Sequence, residues 1–235
     1  MAAGSGGMGL IDANGNWLIT PKYDSIHYEE DGLILAFSGE SLSVMEPEKY
    51  EVVAEYSGSG VYGYSAAGGK AVVLDGERAV ILNREGEEIF SLEGCQSVSN
   101  WEGMEDQAVV SLGDFGTASV WLYRMDGEAL AGPYQDIMPL GEMNGQMYYT
   151  FTSFEATQVE YEEYGLSFWD EVPGTRRCGV LSPEGEELCS FKAEYISYLG
   201  EGRMLIQAEV GAAFADFEGN VLRSFEGFET EGTAE

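Results

Sequence analysis

Positive charge is scarce in this chain. Of 235 residues, 11 are Lys or Arg against 42 Asp or Glu, leaving a formal net charge of −31. A surface that negative repels phosphate backbones, which argues against direct nucleic-acid binding. Histidine is scarcer still. His27 alone is available to a Ser-His-Asp or Cys-His set, and the polar stretch His27-Tyr28-Glu29-Glu30-Asp31 around it holds no such motif. It reads as a surface histidine.

Cysteine is also sparse. Cys95, Cys178 and Cys189 make an odd count, too few for a disulfide scaffold. Cys178 and Cys189 flank the turn Ser182-Pro183-Glu184-Gly185. A two-residue loop there sets them directly opposite; a bulge shifts the register by one. All three read as ordinary buried or half-buried thiols. With His27 they are four scattered residues of zinc-ligand type, so neither a metal site nor a cofactor is expected. Long hydrophobic runs are missing too: Leu33–Phe37 is typical, so no membrane span is expected. Residues 1–7 have no basic start and no apolar stretch. They read as a flexible leader or fusion scar. The chain as given is then cytoplasmic, or extracellular or cell-surface if a native leader was trimmed.

What is present is glycine, aromatics and repetition. Hydrophobic residues make up 44% and aromatics 12%, too much for a disordered acidic tail. Five segments share a short apolar strand, a polar turn ending in glycine, and a second strand. They start at Gly9, Ala79, Val120, Gly179 and Phe214, with turn glycines Gly15, Gly86, Gly127, Gly185 and Gly219. Glycine suits a residue at positive φ that closes a type I turn with a bulge. A second glycine follows 17 or 18 residues later, at Gly32, Gly103, Gly145 and Gly202, and an apolar or alternating strand comes after it. Between the first two copies, Ser43-Val-Met-Glu-Pro-Glu-Lys49 fills the turn slot without glycine. The expected unit is a hairpin, a third strand centred on Tyr23/Ile26, Val98, Tyr134/Ile137 or Ile196, and a fourth strand.

Many short strands at even spacing predict an all-β repeat protein of about six small units of three or four strands, in a propeller-like ring or an open β-solenoid. One unit cannot bury both faces of its sheet, so neighbours must stack. The organisation expected is one β-repeat domain over 8–227, an insertion at 153–176 and an acidic tail at 228–235.

The stretch Gly9-Leu-Ile-Asp-Ala-Asn-Gly-Asn-Trp-Leu-Ile-Thr-Pro-Lys-Tyr-Asp-Ser-Ile26, running on to Glu30-Asp31-Gly32, resembles the WG (KWG) repeat family of bacterial proteins. Trp101-Glu102-Gly103-Met104 and Tyr198-Leu199-Gly200-Glu201-Gly202 resemble its later part. The Trp-Gly pair at the strand starts is replaced by Met8-Gly9, Cys178-Gly179 and Val210-Gly211. The resemblance implies a β-repeat binding or surface module and supplies no catalytic motif.

Three motifs fit known chemistry only in part. Gly58-Ser-Gly-Val-Tyr-Gly63 matches a dinucleotide fingerprint, but a strand follows it where a helix must begin. Asp12-Ala-Asn-Gly-Asn16 opens like a calcium loop, yet its sixth and twelfth positions hold Trp17 and Tyr23, so it reads as a hairpin turn. Arg176-Arg177, the only adjacent basic pair, reads as neutralising nearby carboxylates.

The best functional candidate is the insertion. Turn glycines lie 41 apart from Gly86 to Gly127 and 58 apart from Gly127 to Gly185. The excess is rich in aromatics and acids: Tyr161, Glu162, Glu163, Tyr164, Phe168, Trp169, Asp170 and Glu171. Insertions in repeat proteins map to loops on one face, often the binding face. Either these residues contact a partner, with Trp169 and Tyr164 as anchors, or Phe168 and Trp169 fold back over a sheet edge. The expected function is a non-enzymatic module for a protein or carbohydrate partner. The alternatives are an acidic nucleic-acid mimic that fills the groove of a basic protein and, further off, a glycosidase-like enzyme using a carboxylate pair.

Overall fold

Apolar runs bounded by turn glycines fold here as strands. The computed structural model describes residues 2–4, 6–28, 32–66, 69–100, 104, 106–113, 118–161 and 166–228, and every regular element among them is a strand. The first sheet has three strands, β1 (Ala2–Gly4), β2 (Gly7–Ile11) and β3 (Trp17–Tyr23). Three four-stranded sheets follow. They are β4 (Ser25–His27), β5 (Ile34–Ser38), β6 (Ser41–Met45) and β7 (Val52–Ser57); β8 (Tyr62–Ala66), β9 (Lys70–Asp75), β10 (Arg78–Leu82) and β11 (Glu88–Glu93); and β12 (Cys95–Ser99), β13 (Gln107–Leu112), β14 (Ser119–Arg124) and β15 (Ala129–Tyr134).

In the next stretch, β16 (Asp136–Met143) and β17 (Gln146–Ser153) are followed by a separate hairpin, β18 (Ala156–Tyr161) with β19 (Leu166–Glu171). The chain then returns to the sheet as β20 (Arg177–Leu181) and β21 (Glu187–Phe191), giving the order β16-β17-β20-β21. The last sheet is β22 (Tyr195–Gly200), β23 (Arg203–Gln207), β24 (Ala212–Asp216) and β25 (Val221–Ser224). A four-stranded antiparallel meander is the make-up of a propeller blade. The expectation of an all-β chain of six small three- or four-stranded units is met.

Strand partnership differs from the sequence expectation in phase. The hairpin opening each sequence repeat does not pair with the two strands that follow it. It closes the sheet begun by the two strands before it, so β4 and β5 precede the hairpin β6–β7 in one sheet. Alternation marks where strands lie but not which neighbours pair, and that is why the expected phase, with the hairpin first in its sheet, was wrong. Ala2–Gly4, expected within a flexible leader, pairs with β2. The acidic tail from 229 onward, and the matched segment Trp101-Glu102-Gly103, lie outside the described residues.

Each turn glycine behaves as its spacing requires. Gly15, Gly86, Gly127, Gly185 and Gly219 have φ between 78° and 100°, each beside a register shift. In the copy without glycine, Tyr50 takes this left-handed role at φ 61°. The first residue of the turn holds it closed through a side-chain oxygen. Asp12, Asn83 and Ser182 each accept two backbone N–H groups of their own turn. The glycines expected before the later strands include Gly145 and Gly202. With Asn144 and Glu201, also at positive φ, they make two-residue hairpin loops.

The chain divides into two compact units, residues 1–100 with 105–108 and 124–128, and residues 101–104, 109–123 and 129–235. Within the first, Ile19 and Tyr23 of β3 pack with Ile26, Ile34, Ala36 and Met45 of the following sheet. Leu35, Leu42 and Val44 of that sheet pack in turn with Ala71, Val73, Val80 and Leu82. Within the second, Val109 and Leu122 pack with Ile137, Tyr149, Phe151 and Leu181. Cys178 and Val180 of β20 pack with Ile196, Met204, Ile206 and Ala215. Each core is thus shared by successive sheets, and burying such a side chain is worth roughly 1.5–3 kcal/mol. Of the third-strand positions, Tyr23, Ile26, Val98, Ile137 and Ile196 are buried and Tyr134 is half-buried.

Candidate functional site

The insertion leaves the chain where a tight loop stands in other sheets. β5 and β6 are joined through Gly39-Glu40, and β9 and β10 through Gly76-Glu77. The equivalent connection between β17 and β20 is residues 154–176. Expected as a loop, it is a regular hairpin, with Ala156 opposite Glu171 and Tyr161 opposite Leu166. Alternating Thr157, Val159 and Tyr161 carry the strand signal. Among the described residues, β18 and β19 pair only with each other.

A frame of hydrogen bonds holds the hairpin base. Val172 N–H donates to the Glu155 carbonyl at 2.8 Å. Glu155 N–H donates to Thr175 Oγ1 at 3.0 Å, and that hydroxyl donates to the Val172 carbonyl at 2.7 Å. Phe154 N–H donates to Gln135 Oε1 at 2.9 Å. Arg176 is the centre of the base. Its Nε and Nη2 donate to Glu171 Oε2 at 2.9 and 2.5 Å, Glu194 lies 3.7 Å away, and the guanidinium sits 5.2 Å from the Phe154 ring centre. The hydrogen bond with Glu171 raises the Arg176 pKa against the opposing effect of burial. Arg176 therefore neutralises carboxylates as expected, whereas Arg177 donates to Ser190 Oγ at 2.8 Å.

Above this base is a cleft of about 630 Å³ lined by Ala118, Gln135, Phe154, Ala156, Trp169, Asp170, Glu171 and Arg176. Trp169 is 49% exposed, so its ring is not folded away over a sheet edge. Asp170 is exposed and also lines the cleft. Of the other expected site residues, Tyr161 and Phe168 stand in β18 and β19, and Glu162, Glu163 and Tyr164 lie outside the described residues. Sequence reasoning missed Gln135 and Ala118, which are distant in the chain, and Phe154, which stands just outside the run of aromatics and acids.

The remaining motifs resolve structurally. Gly58–Gly63 runs into β8, a strand, with no helix to receive a phosphate. Asp12 closes a hairpin turn, and hydrogen bonds from Asn16 are the largest cause of its lowered pKa. His27 is exposed, its ring edge-on to Phe37 at 5.5 Å. Cys178 pairs with Phe191 and Cys189 with Val180, a larger offset than either expected loop gives; all three thiols are free. Among the described residues no three His, Cys, Asp or Glu side chains gather as a metal site requires. None forms a helix long and apolar enough to cross a membrane.

Comparison with known structures gives likenesses of fold. A Bacteroides caccae protein of unknown function is 18% identical, with a TM-score of 0.32 over 85% of this chain and 74% of that one. A eukaryotic initiation factor is 10% identical, with a TM-score of 0.50 over 86% of this chain and 54% of that one. The Neurospora crassa Pan2 WD40 domain is 9% identical, with a TM-score of 0.34 over 86% and 65%. No curated protein matches the chain significantly in sequence. One family model, the WG containing repeat, matches residues 8–38, from β2 through the end of β5, so this stretch is similar to a repeat of that family.

Proposed function

We propose that this protein is a non-enzymatic binding module that engages a protein or carbohydrate partner at the β18–β19 hairpin and the cleft at its base. The observation that carries this is the hairpin itself: a two-stranded element outside the stacked sheets, with Trp169 half exposed beside a cleft. The carbohydrate form is supported by the lining. An aromatic face beside an amide, a carboxylate and a guanidinium suits stacking on a sugar with hydrogen bonds at its rim. The protein form is supported by the strand edges of the hairpin, which suit the addition of a partner strand. The absence of catalysis is supported by the engagement of the cleft's carboxylates: Glu171 is held by Arg176, and Asp170 Oδ1 accepts the Glu171 N–H at 2.9 Å.

A glycan array and strand-peptide display, each probed with wild type, Trp169→Ala and a deletion of residues 155–173, test the reading. Binding that falls at least tenfold in Trp169→Ala and vanishes in the deletion, with the melting temperature held, is expected. Equal binding by all three proteins would refute it. Salt separates partner classes: a sugar complex is nearly indifferent to salt, whereas a complex with a basic protein weakens steeply.

A further inference from the structure

Positive charge is not spread evenly over this chain. Three of its 11 basic residues, Arg176, Arg177 and Lys192, line one pocket of about 410 Å³ at the hairpin base. Arg177 opens β20, and Lys192 follows Phe191, the last residue of β21. The whole pocket lies within the second compact unit. Arg176 is offset by Glu171 and Glu194. The other two cations are not offset. Arg177 gives a hydrogen bond to Ser190 Oγ, and among the described residues neither it nor Lys192 pairs with a carboxylate. Lys192 Nζ instead lies 3.9 Å from where a Cβ on Gly174 would stand, over the turn that returns the hairpin to the sheet. The lining holds one carboxylate, Glu155, against these two cations.

Elsewhere the scarce cations are spent on carboxylates of the same chain: Lys70, Arg78, Arg84, Arg124 and Arg203 each form an ion pair. Two exposed cations that share a pocket without such a partner suit an anion from outside. The pocket also adjoins the Trp169 cleft, because Phe154 and Arg176 line both. Each volume suits a small ligand, for which roughly 300–1,000 Å³ is usual. A ligand that fills both must offer a flat face and hydroxyls to Trp169 and Gln135 and, further along, an anion to Arg177 and Lys192.

We propose that the two sites together take an acidic oligosaccharide, one ring stacked on Trp169 and the carboxylate of a neighbouring uronic acid ring held by Arg177 and Lys192. This rests on the carbohydrate form of the binding reading and names its class. A guanidinium matches a carboxylate with two parallel N–H groups, and an ammonium adds a point charge beside it. Net charge narrows the anion. A chain at −31 repels densely sulfated or phosphorylated polymers, whereas one carboxylate per ring adds little repulsion and is met by local contacts.

Isothermal titration with tetramers of galacturonate, mannuronate and glucuronate, each as free acid and as methyl ester, tests this. Wild type is expected to bind at least one free acid at least tenfold more tightly than its ester. Lys192→Gln and Arg177→Gln each bring the affinity for the acid down toward that for the ester. Both positions are exposed, so each variant keeps the wild-type melting temperature. Trp169→Ala weakens acid and ester alike. Acid and ester bound equally, with Trp169 still required, overturns the carboxylate site and leaves the carbohydrate reading intact. An acid preference that survives both charge substitutions overturns it as well. So does a wild type that binds none of the acids; a strand peptide captured by the hairpin would then leave the protein form of the reading standing.

Discussion

The three thiols show how packing sets the chemistry of single residues. Cys178 Sγ donates to the carbonyls of Ala193 and Glu194 at 3.3 Å, and Cys189 Sγ to that of Phe217 at 3.5 Å. Burial pushes the Cys95 thiol up to about 11, Cys189 up to about 12, and Cys178 upward as well. A raised folded-state pKa means that the unfolded chain loses these protons first. Stability from this source is intact below the ordinary thiol range, near 8.5, and is lost as pH rises from there through about 11 to 12. Urea midpoints are therefore expected to fall from pH 9 upward, and less so in a Cys95→Ala/Cys189→Ala double variant. Equal falls in both proteins would contradict the assignment. The odd count made at least one unpaired cysteine legible, while the spacing of Cys178 and Cys189 left open whether those two meet; all three are free. The offset of that pair was not legible, because it depends on the length of the five-residue turn Ser182–Glu186.

At the scale of the element, the hairpin turn is the most regular part of the molecule. Its glycine was legible because only one residue type takes that φ without strain. The oxygen that closes the turn from its first position was present in sequence as Asp12, Asn83, Ser182 and Asp216, but the residue type varies and hides the pattern. Ser182 is buried and satisfies two turn N–H groups. Ser182→Ala is expected to cost about 1 kcal/mol by urea denaturation, with Ser182→Asn largely restoring it. An Ala variant as stable as wild type would remove this role. The β18–β19 insertion was legible as an excess of chain rich in aromatics and acids, but it was expected as a loop, and its folding as a regular hairpin was not read from the sequence. The cleft it helps to form was not legible either, since Ala118, just before β14, and Gln135, between β15 and β16, reach it from distant parts of the chain.

At the scale of the whole molecule, net charge and repetition dominate. A charge of −31 on one chain strains the compact state, so the melting temperature is expected to rise between low and moderate salt; indifference to salt there would contradict that strain. Repetition was legible as spacing, and the burial of Ile26, Val98, Ile137 and Ile196 follows from it. What spacing gave wrongly was which strands share a sheet, a matter of hydrogen-bond partnership that any strand offers on both edges. The account as a whole depends on sheets stabilising one another through seated turns. Alanine substitution of the turn glycines measures this most directly, with urea unfolding as the readout. All five pay for a side chain at positive φ, about 1–2 kcal/mol. Gly86, Gly127, Gly185 and Gly219 must also displace the preceding sheet, and each is expected to lose at least about 1 kcal/mol more than Gly15→Ala, whose position is open. Five equal losses would show that the turns carry no contact between sheets and would contradict the stacked-repeat account.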